Sequence, residues 1–137
     1  MIKKFHQKIR SETGTSAVEF ALILPLLVII LFGIIEFGIA LYRQAVLTNA
    51  SREGARLGIV QSIPAITTGQ INTAIDTYLT GAGINPTNVT RNITPGAFTG
   101  APVIVQLTLP YNFTVLTGLT AILPTINLVA RTEMRHE

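Results

Sequence analysis

The chain contains no cysteine and no tryptophan, and only 12% of its 137 residues carry charge. Without cysteine, neither a disulfide nor a thiolate metal site can brace a domain of this size, so stability has to come from packing or from partners. The same absence is compatible with an oxidising compartment and equally with the cytosol. Charge is scarcest downstream, where Asp76 and Arg91 are the only charged residues between Leu57 and Ala130. The two histidines, His6 and His136, stand near opposite ends of the sequence. Catalysis needs titratable or nucleophilic groups that converge. Here the serine and threonine hydroxyls have no base nearby in the sequence, so the composition argues against an enzyme. No glycine-rich phosphate loop, metal-ligand spacing or nucleic-acid stacking platform is present either. No catalytic, cofactor-binding or metal-binding residue is therefore assigned.

What the chain does have is an apolar first third. Apolar residues make up 48% of the sequence, and the excess is concentrated in residues 20–42. No charge interrupts residues 20–35, and after Glu36 the apolar pattern resumes with Phe37, Gly38, Ile39, Ala40, Leu41 and Tyr42. At about 1.5 Å per residue, a helix over residues 20–42 runs roughly 34 Å, enough to cross a hydrocarbon layer of about 30 Å with slight tilt. A cleaved secretory signal would have a shorter apolar core ending at a small-x-small site, which this run lacks. The net charge of +3 is unevenly placed. Lys3, Lys4, Lys8 and Arg10 precede the apolar run and Arg43, Arg52 and Arg56 follow it, a mild bias that favours a cytoplasmic N-terminus and an extracytoplasmic C-terminal domain. Basic residues arranged as a tail beside a membrane segment, rather than on a folded face, do not form a nucleic-acid surface.

Two carboxylates flank this run. An acidic group deep in lipid costs on the order of 3 kcal/mol on insertion scales. Glu19 and Glu36 stand about 25 Å apart on a helix, so each can lie near an opposite edge of the apolar layer. Glu36 either snorkels to the headgroups or serves an intramembrane contact. The stretch Gly14-Thr15-Ser16-Ala17-Val18-Glu19-Phe20 sets a glycine ahead of small or modest residues, then an acid and an aromatic at the start of the apolar run. A glycine there lets a peptidase approach an extended backbone at the membrane surface without a side chain in the way.

This stretch resembles the prepilin-peptidase site of type IVb pilins and pilin-like proteins. Cleavage between Gly14 and Thr15 would make Glu19 the fifth and Phe20 the sixth residue of the mature chain. Ala17-Val18-Glu19-Phe20-Ala21-Leu22, Leu24-Pro25-Leu26-Leu27, Gly33-Ile34-Ile35-Glu36-Phe37-Gly38 and Asn49-Ala50-Ser51-Arg52-Glu53-Gly54-Ala55-Arg56 together resemble the N-terminal region of the TadE-like family. A weaker likeness covers the closing strand that ends Met134-Arg135-His136-Glu137. The resemblance implies a pseudopilin or minor pilin of a tight-adherence (Tad) pilus, a type IVb system serving surface adherence. Its implied partners are a prepilin peptidase, other pilin or pilin-like subunits, the pilus assembly membrane complex and the lipid bilayer, with no cofactor. It also implies that Glu19 aids assembly by neutralising a newly freed N-terminal amine.

The expected architecture is α+β: a basic leader over residues 1–14, a transmembrane and extended helix over 15–58, and a small extracytoplasmic domain over 59–137. Ala45, Ala50, Ala55, Arg52, Glu53 and Arg56 favour helix beyond the bilayer, with a stop near Gly58. Pro25 removes a backbone donor within the rod, which predicts a kink there or a carbonyl satisfied by a neighbour. Thr67 and Gln70 fit a capping box, after which Ile71, Ala74, Ile75, Tyr78 and Leu79 recur at helical spacing until Gly81 and Gly83. Asp76 falls on the polar side of that helix, where solvation is its expected role. Alternation over residues 89–94, 103–109 and 126–135 predicts three antiparallel strands. One face carries Val103, Val105, Leu107 and Leu109 beside Ile126, Leu128, Ala130, Thr132 and Met134. The apolar, threonine-studded residues 115–123 read as a short helix or a partner-facing loop. The competing functional class is an unprocessed single-pass anchor carrying a ligand-binding or adhesion module, and the N-terminus of the mature protein separates the two.

Overall fold

A computed structural model describes residues 2–61, 64–96, 100–116 and 124–135, with side chains described from Gly14 onward. One helix, α1 (Ile2–Gly58), runs through the first two-fifths of the sequence. It starts well before Thr15, so the Gly14–Thr15 junction lies inside continuous helix rather than in extended backbone. No proline interrupts the residues leading up to it. Pro25 is accommodated within α1, where its ring leaves the carbonyl four residues earlier without the usual helical donor. The basic side chains of the leader, the closing His136 and Glu137, and residues 117–123 of the apolar connection lie outside the described residues.

Helix α2 (Thr68–Gly81) begins as the sequence predicts. The Thr67 hydroxyl accepts from the Gln70 amide, and the Gln70 side chain accepts from the Thr67 amide at 2.9 Å. This reciprocal cap satisfies donors the first turn would otherwise leave unpaired. The helix ends at Ala82, and Gly83 follows with φ at +77°, a left-handed conformation that favours glycine. Ile71, Ile75 and Leu79 form its buried stripe, whereas Tyr78, expected on the same face, is exposed.

Strands β1 (Thr90–Thr94), β2 (Pro102–Tyr111) and β3 (Ile126–Arg135) form an antiparallel sheet in the order β1-β2-β3. Val89, expected to open the first strand, is buried in the core just ahead of it, after a 3-10 turn at Pro86–Asn88. The middle strand extends past the alternating residues to Tyr111. Pairing with β1 ends at Thr90 opposite Thr108, so Pro110 sits where β2 has a strand neighbour on one side only and its missing donor interrupts no ladder there.

Two layers result. The upper part of α1 lies across β2 and β3, and α2 packs beside it. Leu47 and Ala50 from α1, Ile71, Ile75 and Leu79 from α2, and Val103, Val105 and Leu107 from β2 are almost completely buried in one cluster. Full burial of a large aliphatic side chain contributes about 1.5–3 kcal/mol, and a sheet this small needs that helical cover to be stable. The helices meet closely because Gly54 and Gly58 present no side chains. A Cβ at Gly54 would come within 2.8 Å of Ile75, and one at Gly58 within 2.8 Å of Val103.

The expected solvation of Asp76 is corrected by the fold. Arg91 on β1 brings a guanidinium nitrogen to 2.6 Å from its carboxylate, an ion pair whose bent approach falls short of hydrogen-bond alignment, and the same guanidinium donates to the Pro86 carbonyl at 2.7 Å. The two charged residues of this stretch thus tie α2 to the first strand.

Candidate functional site

Along α1 the surroundings change at the midpoint. Residues 14–27 are exposed throughout, and the apolar side chains Leu22, Leu26, Ile30 and Ile34 have no cover. Gly14–Gly58 is long and apolar enough to cross a membrane, and none of its most apolar window is buried within the protein. In water, such a bare rod would expose far more contiguous apolar surface than a soluble monomer carries.

The sequence-predicted processing residues, Gly14 and Thr15, occupy this bare part of the helix. A Cβ at Gly14 would meet nothing within 4 Å. Intramolecular packing therefore does not require glycine there, although glycine within a helix costs about 1 kcal/mol relative to alanine. Glu19 and Phe20 are exposed one turn further on, and Glu19 forms no ion pair among the described residues. None of these residues lines the groove described below. They share one exposed end of the apolar helix.

Glu36 lies in different surroundings. It is 2% exposed, although the residues before it on α1 are bare. The Tyr111 hydroxyl donates to its Oε1. The Thr114 amide donates to the same oxygen at 2.8 Å, while the Val115 and Leu116 amides donate to Oε2 at 2.5 and 3.1 Å. Successive backbone N–H groups thus close around the carboxylate as an anion-binding nest, and bonds to an ionised acceptor are the stronger kind. Neither snorkelling nor a contact with another molecule is needed to account for this acid, since its acceptors are satisfied by its own chain.

Tyr111 is the other half of the arrangement. It ends the apolar face of β2, is fully buried, stacks edge-on against Phe113 at 5.9 Å and carries the Arg43 guanidinium 5.1 Å from its ring centroid. Burial first, then its bond to Glu36 and that carboxylate's charge, raise the phenol's pKa above its ordinary value, which keeps it protonated and donating. Gln44 adds a further tie, donating to the Val129 carbonyl at 2.8 Å, and Tyr42 donates to the Ala82 carbonyl at 3.3 Å. Sequence reasoning singled out Glu36 as an acid needing an explanation but had no signal for its partners, because Tyr111 and residues 114–116 are remote in the chain.

Beside this latch lies an open apolar groove of about 280 Å3. Gly33, Phe37, Ala40 and Leu41 of α1 form its floor, and Phe113, Leu116, Ile126 and Leu128 form its wall. The site as a whole joins the C-terminal domain to α1 where the bare helix ends; its chemistry is that of attachment.

Residues 14–56 match the family model described as TadE-like protein, a match that begins at the glycine of the bare helix and ends just short of the end of α1. No curated protein and no solved structure matches the chain. Over residues 14–56, the apolar rod and the helical platform on which the small domain packs, this chain is similar to TadE-like proteins.

Proposed function

We propose that the protein is a minor pilin or pseudopilin of a Tad-type, type IVb pilus, anchored in the cytoplasmic membrane by α1 and processed by a prepilin peptidase between Gly14 and Thr15. The observation that carries this reading is a long apolar helix left bare over its first half while its second half is built into a folded domain. That division suits a subunit whose helix is surrounded first by lipid and then by neighbouring helices, both of which replace water around apolar side chains.

Gly14 supports the proposed cut point because no internal contact requires glycine there. The junction is helical before cleavage, so a peptidase has to unwind it locally, and glycine lowers the cost of doing so. Removal of residues 1–14 frees an amine at Thr15. Glu19, exposed and without an ion-pair partner among the described residues, is the acid that would neutralise this amine between subunits. Pairing offsets the cost of holding either charge in a low-dielectric layer. Phe20 stands beside it as a contact for the incoming helix. The small domain would then face away from the cytoplasm, available to other pilus components and, in an adherent cell, to the surface.

The test is the intact mass and N-terminal sequence of the protein recovered from its own cells, with and without the prepilin peptidase gene. Peptidase-dependent loss of residues 1–14 is the expected result. A chain that keeps Met1 in both strains would overturn the processing step and favour an unprocessed anchor bearing a binding module.

A further inference from the structure

The position of Glu36 along α1 has a geometric consequence. If Glu19 marks one edge of the hydrocarbon layer, the layer of about 30 Å extends from Phe20 to about Ala40 along a helix rising 1.5 Å per residue. The uncharged residues 20–35 cover only about 23 Å of it. Glu36, about 24 Å from Phe20, therefore lies inside the layer by roughly 6 Å. Residues 114–116 share that depth, because their amides bond directly to its carboxylate.

Irregular backbone within lipid is tolerated only when its polar groups are satisfied by protein. Three of the loop's N–H groups meet that condition: the Thr114, Val115 and Leu116 amides all donate to Glu36. Apart from the exposed Thr114, the side chains of this loop are the kind lipid accepts. Phe113, Val115 and Leu116 are half-buried, Phe37 and Leu41 are exposed on the facing helix, and the groove between Leu116 and α1 is lined as far down the helix as Gly33, next to the bare apolar rod.

We infer that the residue 113–116 loop is a membrane-inserted foot of the small domain, seated among the acyl chains of the outer leaflet, and that Glu36 makes this possible by accepting the loop's backbone hydrogen bonds. The apolar groove beside it is continuous with the lipid-facing side of α1 and is filled by acyl chain. The foot fixes the height and tilt of the domain on the bilayer. A carboxylate inside the apolar layer thereby serves the anchor instead of weakening it. This inference rests on the membrane-anchored reading above.

The cysteine-free sequence allows a direct test. Single nitroxide labels are placed at Leu116→Cys, Ile30→Cys and Asn92→Cys in the full chain reconstituted in phosphatidylcholine bilayers. Collisional relaxation is then measured with oxygen, which concentrates in hydrocarbon, and with a neutral nickel chelate, which stays in water. The expected result is an oxygen-dominated signal at positions 116 and 30 and a nickel-dominated one at 92, with the oxygen-to-nickel ratio at 116 several-fold above that at 92. A nickel-dominated signal at 116 beside an oxygen-dominated one at 30 would overturn the inference and leave the anchor intact. Nickel access at 30 as well would remove the anchor and the inference together. Shielding of 116 from both reagents would mean that protein covers the groove, which also overturns it. Adding Glu36→Gln to Leu116→Cys should raise nickel access at 116 several-fold, since an amide cannot accept from all three backbone donors; unchanged access would refute the role given to Glu36.

Discussion

The hydroxyls of Ser51 on α1 and Thr132 on β3 lie 2.7 Å apart at the interface of helix and sheet. Ser51 is completely buried and directs its proton to the Thr48 carbonyl at 2.8 Å, so Thr132 is the donor of the pair. The helix thus meets the sheet with a satisfied polar contact amid aliphatic packing. Ser51→Ala should destabilise the domain by about 1 kcal/mol. A double-mutant cycle with Thr132→Ala, read by thermal unfolding in detergent, should return a coupling of at least about 0.5 kcal/mol. Full additivity would mean that the two hydroxyls do not interact.

Gly54 and Gly14 should respond oppositely to added bulk. At Gly54 a side chain meets Ile75 in the closed core, so Gly54→Leu should cost at least about 1–3 kcal/mol through overpacking and lower the melting temperature. At Gly14 there is open space, and Gly14→Ala should favour the helix by about 1 kcal/mol while slowing the proposed cleavage. Circular dichroism and a processing immunoblot report the two effects separately. A Gly54→Leu protein as stable as the parent would show that the helices do not pack as closely as described.

The Glu36 latch can be loosened from its tyrosine side without removing the acid. Tyr111→Phe deletes one charge-assisted hydrogen bond and leaves the three backbone donors in place, a loss of about 1.5–3 kcal/mol. Hydrogen exchange should quicken at the Thr114, Val115 and Leu116 amides more than in β2 or α2. Equal protection of those amides in the variant would show that the phenol contributes nothing to holding the loop.

For the Asp76–Arg91 pair, exposure sets the scale. The Asp76 side chain is 41% exposed and that of Arg91 21%, so Asp76→Ala should cost less than about 1 kcal/mol, and raising the salt concentration should shrink the difference. Arg91→Ala should cost more, because it also strips the Pro86 carbonyl of its donor. Unfolding midpoints at low and high salt test both statements.

Glu19→Val offers an independent check on assembly. Processing at Gly14 should continue, since the acid lies beyond the cut, whereas the yield of the protein in sheared filaments or assembly complexes should fall. Normal incorporation of the variant would remove charge neutralisation from the proposed mechanism.

The sequence by itself determined the elements whose signals are local. Hydropathy over residues 20–42 marked the apolar rod, Thr67 and Gln70 marked the start of α2, and alternation marked β2 and β3, because helical period, capping and pleat are properties of a few consecutive residues. Where α1 begins is not legible in this way, since the basic leader carries charge and a candidate cut point but no proline that separates it from the helix that follows. Only the tertiary structure decided what meets what. It set Glu36 against Tyr111 and residues 114–116, Asp76 against Arg91, and Gly54 against Ile75. Such contacts depend on the path by which distant segments return to the helix, and no periodicity along the chain encodes that path. A lone acid in an apolar run reads as a liability until the donors that satisfy it are brought in by the end of β2 and the segment that follows it.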